Sequence, residues 1–487
     1  MPPFVGSEGP ALTTLIWFRQ DLRLADNPAL AAAEGAAVVP AYIHAPGEEG
    51  AFAPGGASRW WLHRSLAALD AELRSRGSRL ILRKGGHSLA ELIRLARECG
   101  ATRIVWNRRY EPAAVTRDQR IKSELDAAGF EARSFNAALL HEPWTVETRA
   151  GTPFQVFTAF WKHCKSLADP TAPLPAPERL EAPAAWPDSL RLDELALEPA
   201  IDWARGLAAS WSPGGPGARS ALDRFLAGAF DDYDSLRERP CERGTSRLSP
   251  HLHFGEIGPR EAWHAVRRAA LDRGRSMSWR DSQFLTELGW REFAHHLLFH
   301  FPHMPEHPLR AKFEQFPWRP SEALLRAWQR GATGYPLVDA GLRQLRQIGW
   351  MHNRVRMIAG SFLVKDLLQP WTAGAHWFWD TLVDADLANN SLGWQWVAGC
   401  GADAAPYFRI FNPTTQATRF DPQGTYVREW VPELGRLPRE WIHQPWAAPP
   451  GILSAAGVRL GTSYPHRVKI HEAARAEALA ALSAMKG

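Results

Sequence analysis

The sequence predicts an α/β N-terminal domain joined to a large all-α C-terminal domain. Three observations predict it. Short apolar runs alternate with amphipathic stretches over the first 140 residues, a proline-rich segment follows at 168–187, and from about Gly217 the apolar positions recur at helical spacing. The expected boundaries are 1–140 for the α/β domain, 141–216 for the connection and 217–487 for the helical domain.

Four runs read as strands: Leu15-Ile16-Trp17-Phe18, Ala37 to His44, Leu80-Ile81-Leu82 and Ile104-Val105-Trp106. Arg59 to Arg76, Leu89 to Glu98 and Val115 to Ala128 read as helices between and after them. Strand and helix in alternation imply a parallel sheet covered on both faces. Gly35, Gly77, Gly100 and Gly129 sit where helix C-caps are expected. Six prolines in residues 168–187 exclude a regular helix or central strand. Further on, Leu285 to Phe301, Ser321 to Arg330, Val338 to Ile348, His352 to Leu368 and Thr372 to Leu382 carry helical apolar periodicity.

Composition narrows the class. With 45% hydrophobic residues in 487, the chain is not disordered. It has no 18-residue apolar run, so no membrane span is expected. Met1-Pro2-Pro3-Phe4 lacks the pattern of a signal peptide. Cys99, Cys164, Cys241 and Cys400 lack metal-pair spacing, which fits a reduced cytoplasm. The net charge of +5 permits a polyanionic partner without requiring one. The outlier is tryptophan, 23 residues, of which 14 lie from Trp263 to Trp446. The α/β half holds neither GxGxxG nor GxxxxGK[ST], so phosphate-loop chemistry gives no dinucleotide site there.

Four segments carry chemistry. Gly244-Thr245-Ser246-Arg247-Leu248-Ser249-Pro250 sets three hydroxyls and an arginine ahead of a helix, which suits a phosphate or an ordinary N-cap. In Glu287-Leu288-Gly289-Trp290-Arg291, Glu287 and Arg291 share a helix face, as a stabilising ion pair or as site residues. Trp350, Asn353, Arg354 and Met357 fall at helical spacing and make a poor core stripe. They suit a flat, negatively charged ligand such as a base with its phosphate. Asp384 and Asp386 lead into Asn389-Asn390 and Trp394-Gln395-Trp396; without a further ligand nearby they are not assigned a metal. The histidines of Phe299 to His307 also lack companion ligands.

Run together, these segments resemble one family. TSRLSPHLHFGE, ELGWREF, GYPLVDAGLRQLRQIGWMHNRVRM, DTLVDADLANN and GWQWVAGCGADAAPYFRIFNPTTQ resemble the photolyase/cryptochrome family. Ile16 to Pro28 resembles its opening strand and turn. The match covers nearly the whole chain in order. The resemblance implies a Rossmann-like domain with a five-stranded parallel sheet and a helical domain that binds FAD. It further implies blue-light-driven repair of cyclobutane pyrimidine dimers in DNA, the electron coming from reduced FAD.

The resemblance also implies roles, residue by residue. Tyr233 and Thr245, Ser246, Arg247, Leu248 and Ser249 match FAD phosphate and ribityl contacts. Glu287, Arg291, Asp384 and Asp386 match contacts to the flavin or its surroundings, and Asn390 the residue facing its N5. Phe284 stands where a tryptophan packs near the flavin in commoner bacterial members. Arg237, Glu287, Trp290, Asn353, Arg354, Met357, Trp396 and Gln416 match the lesion pocket and DNA contacts. Trp394, Trp371 and Trp318 match an electron relay from flavin to surface.

Asn353 and Met357 occupy the positions that are histidines in the enzymes for the (6-4) lesion, and Asn390 replaces the aspartate of plant cryptochromes. The implied member is a bacterial cyclobutane-dimer photolyase of the branch near plant cryptochromes; the alternative is a blue-light sensor without repair. His44 and Glu111 match positions near an antenna, leaving methenyltetrahydrofolate, 8-hydroxy-5-deazaflavin or no antenna open. The chain runs only briefly past the family core, so no signalling tail is expected. A cytoplasmic monomer acting on single- or double-stranded DNA, with no resident metal, is expected.

Overall fold

The computed structural model describes residues 12–199, 201–274, 279–403 and 408–485, so the opening tetrapeptide read above for a targeting signal lies outside them. Five parallel strands form one sheet in the order β3-β2-β1-β4-β5. They are β1 Thr13–Phe18, β2 Ala37–His44, β3 Ile81–Lys84, β4 Arg103–Asn107 and β5 Glu131–Phe135. Helices α1 (Pro28–Ala31), α2 (Gly56–Arg74), α3 (Ser88–Glu98) and α4 (Pro112–Ala127) connect them. The apolar runs β1, β2 and β4 are buried because helices cover both faces of the sheet. The edge strand β5, Glu-Ala-Arg-Ser-Phe, has no such run, so patterning finds four strands and misses this one. Gly77, Gly100 and Gly129 follow α2, α3 and α4 with φ of 82°, 66° and 85°, the left-handed caps expected.

The span 141–216 is more than a connection. Its proline-rich 168–187 forms no helix or strand, but α5 (Phe157–Ser166) and α6 (Arg205–Ser210) flank it. Phe157, Phe160 and Trp161 of α5 join a core with Phe293 and Leu297 of the helical layer. That layer contains α7 (Gly215–Ala227), α8 (Tyr233–Leu236), α9 (Ser249–His253), α10 (Pro259–Asp272), α11 (Gln283–His300), α12 (Glu322–Gln329) and α13 (Pro336–Ile348). It continues through α14 (Asn353–Ser361), α15 (Trp371–Thr381), α16 (Leu387–Ala398), α17 (Pro413–Phe420), α18 (Thr425–Trp430), α19 (Pro450–Ala456) and α20 (His471–Ala484). The helix expected over His352 to Leu368 divides: α14 ends at Ser361 and a π-helical turn takes Phe362–Asp366. The wider turn accompanies two inward polar side chains, Lys365 on the Arg409 carbonyl at 2.9 Å and Asp366 on His471 at 2.5 Å.

The opening motif joins the layers. Arg23 is buried and donates to the carbonyls of Asp26 (2.7 Å), Ala137 (2.8 Å) and, in the helical layer, Gly255 (2.9 Å). Trp61 of α2 donates to Glu256 at 2.9 Å and packs edge-on against Trp211. Trp60, Trp61, Trp211 and Trp350 thus lie in one core spanning sheet and helices.

Buried Glu292 of α11 accepts from the amides of Leu140 (2.8 Å) and His141 (3.3 Å). Burial pushes its carboxyl up to about 7, against the opposing pull of Arg291 and His295. The folded value lies above the ordinary carboxylate value, so folding takes up a proton between them. The stability contribution is present below the unfolded pKa and is lost as pH rises through about 7. Thermal unfolding of Glu292→Gln between roughly pH 5 and 8 should therefore fall less steeply with pH than wild type. Parallel curves would remove Glu292 as the cause.

Candidate active site

Two packed helices carry the expected residues. Ser282 caps α11, accepting from the Leu285 amide at 3.4 Å, and Asp386 caps α16, accepting from Asn389 at 2.8 Å. Along α11 the half-buried positions Gln283, Glu287, Trp290 and Arg291 form one stripe. Along α16, Asn390 and Trp396 are half-buried and Gly393 lies exposed between them. A Cβ added at Gly393 would meet nothing within 4 Å. No described residue covers this strip of the helix.

Charges gather at the start of α16. Arg356 donates to both oxygens of Asp384 at 3.0 and 2.9 Å. Asp386 lies 3.4 Å from His295 and 3.8 Å from His253. Burial would raise its pKa, but these imidazoles hold it well below the usual range. The same pairing raises His295 against its burial. Asn390 donates to the Ala375 carbonyl at 3.0 Å.

His352 caps α14, and its Nδ1 accepts from the Arg354 amide at 3.2 Å. Burial, then the fields of Arg356, Arg354, Arg237 and Arg247, push it down to about 3, so the imidazole is neutral at pH 7. The buried neutral ring thus lies in the field of four guanidinium groups. Nearby, Thr245 to Arg247 are half-buried and Leu248 is buried; Ser249 opens α9 and is exposed. Gly244 is required by close approach, since a Cβ there would lie 2.5 Å from the Leu236 carbonyl oxygen. Tyr233 and Phe284 pack edge-on at 6.0 Å, with Phe225 behind both.

A second cluster adjoins the first through Glu287. Its Oε1 accepts from Gln283 and pairs with Arg237, each at 2.7 Å. Burial raises the Glu287 carboxyl, opposed by Arg237. Arg354 pairs with Glu238, lies 4.5 Å over the Phe420 ring and reaches Met357 Sδ at 3.8 Å. Gln416 is one helical turn before Phe420 on α17. Trp290 stacks on Phe157 at 3.7 Å, nearly parallel. Trp396 lines a small hollow with Ser361, Lys365, Arg409 and Phe411, and Asn353 is exposed at the start of α14.

Two expectations are corrected. Glu287 and Arg291 do not pair: Arg237 takes the carboxylate, while Arg291 donates to the Ala138 carbonyl at 2.7 Å. Trp350 does not share the face of Asn353, Arg354 and Met357. Gly349 ends α13 with φ 67°, α14 begins only at Asn353, and Trp350 is buried against Trp211.

Of the three expected relay tryptophans, Trp394 and Trp371 are buried and Trp318 is half-exposed, all in one core cluster. Trp394 packs on Phe378 at 5.0 Å. The antenna candidates diverge. His44 lines a narrow cleft of about 70 Å³ between the C-terminal ends of β1 and β2 and the helical layer, with Trp17, Tyr42, Phe254 and Trp379. Burial, then Lys84 and Arg59, lower His44 to about 4. Glu111 is instead locked to Arg109 at 3.0 Å; that pairing overrides burial and lowers it to about 2.

The residues fit FAD. The open strip at Gly393 admits a flat group beside Asn390, and the hydroxyls of Thr245, Ser246 and Ser249 together with Arg247 suit its phosphates. The Trp394 N–H and His352 Nε2 are buried without hydrogen-bond partners among the described residues. Sequence reading overlooked Arg356, His253, His295 and Glu238. Their partners lie far along the chain (28 residues from Arg356 to Asp384), so no local spacing announces them.

Comparison with known proteins adds the following. Residues 14–178 match the family described as DNA photolyase, and residues 284–484 the FAD binding domain of DNA photolyase. A deoxyribodipyrimidine photo-lyase of Agrobacterium fabrum is 48% identical, over 97% of this chain and 98% of its own. Cryptochrome-1 of Arabidopsis thaliana is 43% identical, over 97% of this chain and 70% of its own. The crystal structure of a bacterial class III photolyase from Agrobacterium tumefaciens matches with a TM-score of 0.95 at 47% identity, covering 99% of each chain.

Proposed function

The chain belongs to the DNA photolyase family, and from that premise we propose that it is a deoxyribodipyrimidine photo-lyase acting on cyclobutane pyrimidine dimers in DNA. The carrying observation is 48% identity to a photo-lyase over nearly the full length of both chains. Asn353 and Met357 favour the cyclobutane lesion, because neither can serve as a general acid for the (6-4) product.

When bound, reduced FAD supplies the light-absorbing group and the electron that opens the cyclobutane ring. The chain's own residues do the rest. Arg356, Asp384 and Asn390 would hold and orient the ring. A dimer must leave the base stack to reach them, and damage lowers the cost of extrusion. Trp290 and Trp396 stack on the flipped pyrimidines. Glu287 hydrogen-bonds their polar edge, where negative charge develops. Arg237, Arg354, Asn353 and Gln416 contact the strand, so binding weakens with salt.

A reducing cytoplasm and a monomeric enzyme belong to this reading, and all four cysteines are free. The His44 cleft is where an antenna would sit. Methenyltetrahydrofolate, 8-hydroxy-5-deazaflavin or no antenna are separated by the absorbance spectrum of the purified protein.

Illuminating the reduced enzyme with two oligonucleotides tests the substrate. The strand carrying a cyclobutane thymine dimer should lose its lesion, and the strand carrying a (6-4) product should keep it. Repair of the second, or of neither, overturns the reading. For the relay, Trp318→Phe should slow photoreduction of oxidised FAD several-fold yet leave repair by chemically reduced enzyme intact. Equal loss of both activities removes Trp318 from the relay.

A further inference from the structure

We infer that Gln283 is a positioning residue for the repair reaction: by donating to Oε1 of Glu287 beside Arg237, it leaves Oε2 as the oxygen that meets the pyrimidine edge. The inference rests on the repair reading above.

Gln283 opens α11 and lies one turn before Glu287, so the two side chains share a face. Arg237 reaches the same carboxylate from the end of α8. The Gln283 Nε2 donates to Glu287 Oε1 at 2.7 Å, and an Arg237 terminal nitrogen lies 2.7 Å from that same oxygen. No described residue donates to Oε2. The Glu287 side chain keeps 28% of its surface exposed, and Oε2 is not among the buried unpartnered atoms, so an incoming group can reach it.

Two donors on one oxygen need a reason. A guanidinium fork frequently takes both oxygens of a carboxylate. Here Arg237 touches Glu287 through one nitrogen, and its other terminal nitrogen is turned toward Glu238 at 3.9 Å. Gln283 supplies the reason. The last torsion of a glutamate is broad and roughly two-fold, so an unheld carboxyl swings easily. Donors fixed on Oε1 from two separate segments block that swing. Without Gln283 the carboxyl can turn its two oxygens to the Arg237 fork, and Oε2 is then occupied when a lesion arrives. Catalytic groups of this kind work only when a supporting side chain holds their geometry. A glutamine–glutamate pair that merely stabilised α11 would act on folding and leave the chemistry unchanged.

The test uses FAD-loaded, pre-reduced wild type, Gln283→Met, Glu287→Ala and the double variant, each with an oligonucleotide carrying one cyclobutane thymine dimer. Methionine keeps the length of glutamine and removes the donor. Gln283→Met should lower dimer splitting about fivefold, the scale of one hydrogen bond. Its FAD content, thermal midpoint and affinity for the undamaged strand should stay at wild type. In the Glu287→Ala background the same substitution should change nothing further, because the oxygen it positions is gone. An equal loss in both backgrounds overturns the inference, since Gln283 then acts independently of Glu287. So does a loss of splitting matched by a fall in thermal midpoint or in affinity for the undamaged strand, which assigns Gln283 to folding or to general DNA contact. Full splitting by Gln283→Met, with wild type active, overturns the inference alone. If wild type splits no dimer, the repair reading fails and the inference falls with it.

Discussion

Glu287→Ala is expected to lower dimer splitting about 100-fold in the lesion-bound, pre-reduced enzyme, the scale for loss of one preorganised group at a developing charge. Three observations lead there. Glu287 sits mid-stripe on α11, one turn from Trp290 and held by Gln283 and Arg237 at 2.7 Å each. Burial raises its carboxyl above the ordinary value, opposed by Arg237. A protonated carboxyl can donate to a pyrimidine carbonyl as that oxygen gains negative charge. Glu287→Gln keeps a donor of the same length, so it should retain much more activity than the alanine variant. Photoreduction of oxidised FAD should be unaffected in both, since Glu287 belongs to the lesion side. Repair by the alanine variant at the wild-type rate would remove Glu287 from the chemistry.

The second large effect concerns Arg356 and Asp384. Asp384 is 4% exposed and Arg356 23%, and two hydrogen bonds join them. Arg356→Ala leaves a nearly buried carboxylate without its cation. Removing one partner of a buried pair costs about 3–5 kcal/mol, and the partial exposure of Arg356 reduces this to about 2–3 kcal/mol. It also removes one of four cations around His352. The variant should purify with markedly less FAD and a lower thermal midpoint. Arg356→Lys should restore only part of either, because an ammonium cannot reproduce the planar fork. Wild-type FAD content in Arg356→Ala, read from flavin absorbance per protein, would contradict the assignment.

The parts of the molecule legible in sequence are those governed by local rules. β1, β2 and β4 announce themselves as apolar runs, and α11, α13 and α15 by periodicity, because each buries a face its own residues define. β5 stays silent because an edge strand has little to bury. Trp350 misleads because Gly349 interrupts what spacing alone reads as one helix. At the site, motif order brings Glu287, Trp290, Arg354, Asn390 and Trp396 into view without revealing how they pair. Glu287 with Arg237, Arg354 with Glu238 and Asp386 with His295 are contacts between distant segments. Only the fold creates them. The tryptophans divide likewise. Trp60, Trp61, Trp211 and Trp350 fill the seam between the layers, whereas Trp290 and Trp396 remain half-buried beside the site.

The central claim is that the chain splits cyclobutane dimers with an electron borrowed from reduced FAD and returned. A single blue-light flash on the pre-reduced enzyme with a bound thymine dimer tests it most directly. Absorbance near 260 nm should rise as two thymines are restored, while the flavin ends the cycle as reduced as it began. A flavin left oxidised, with no thymine recovered, would contradict the account.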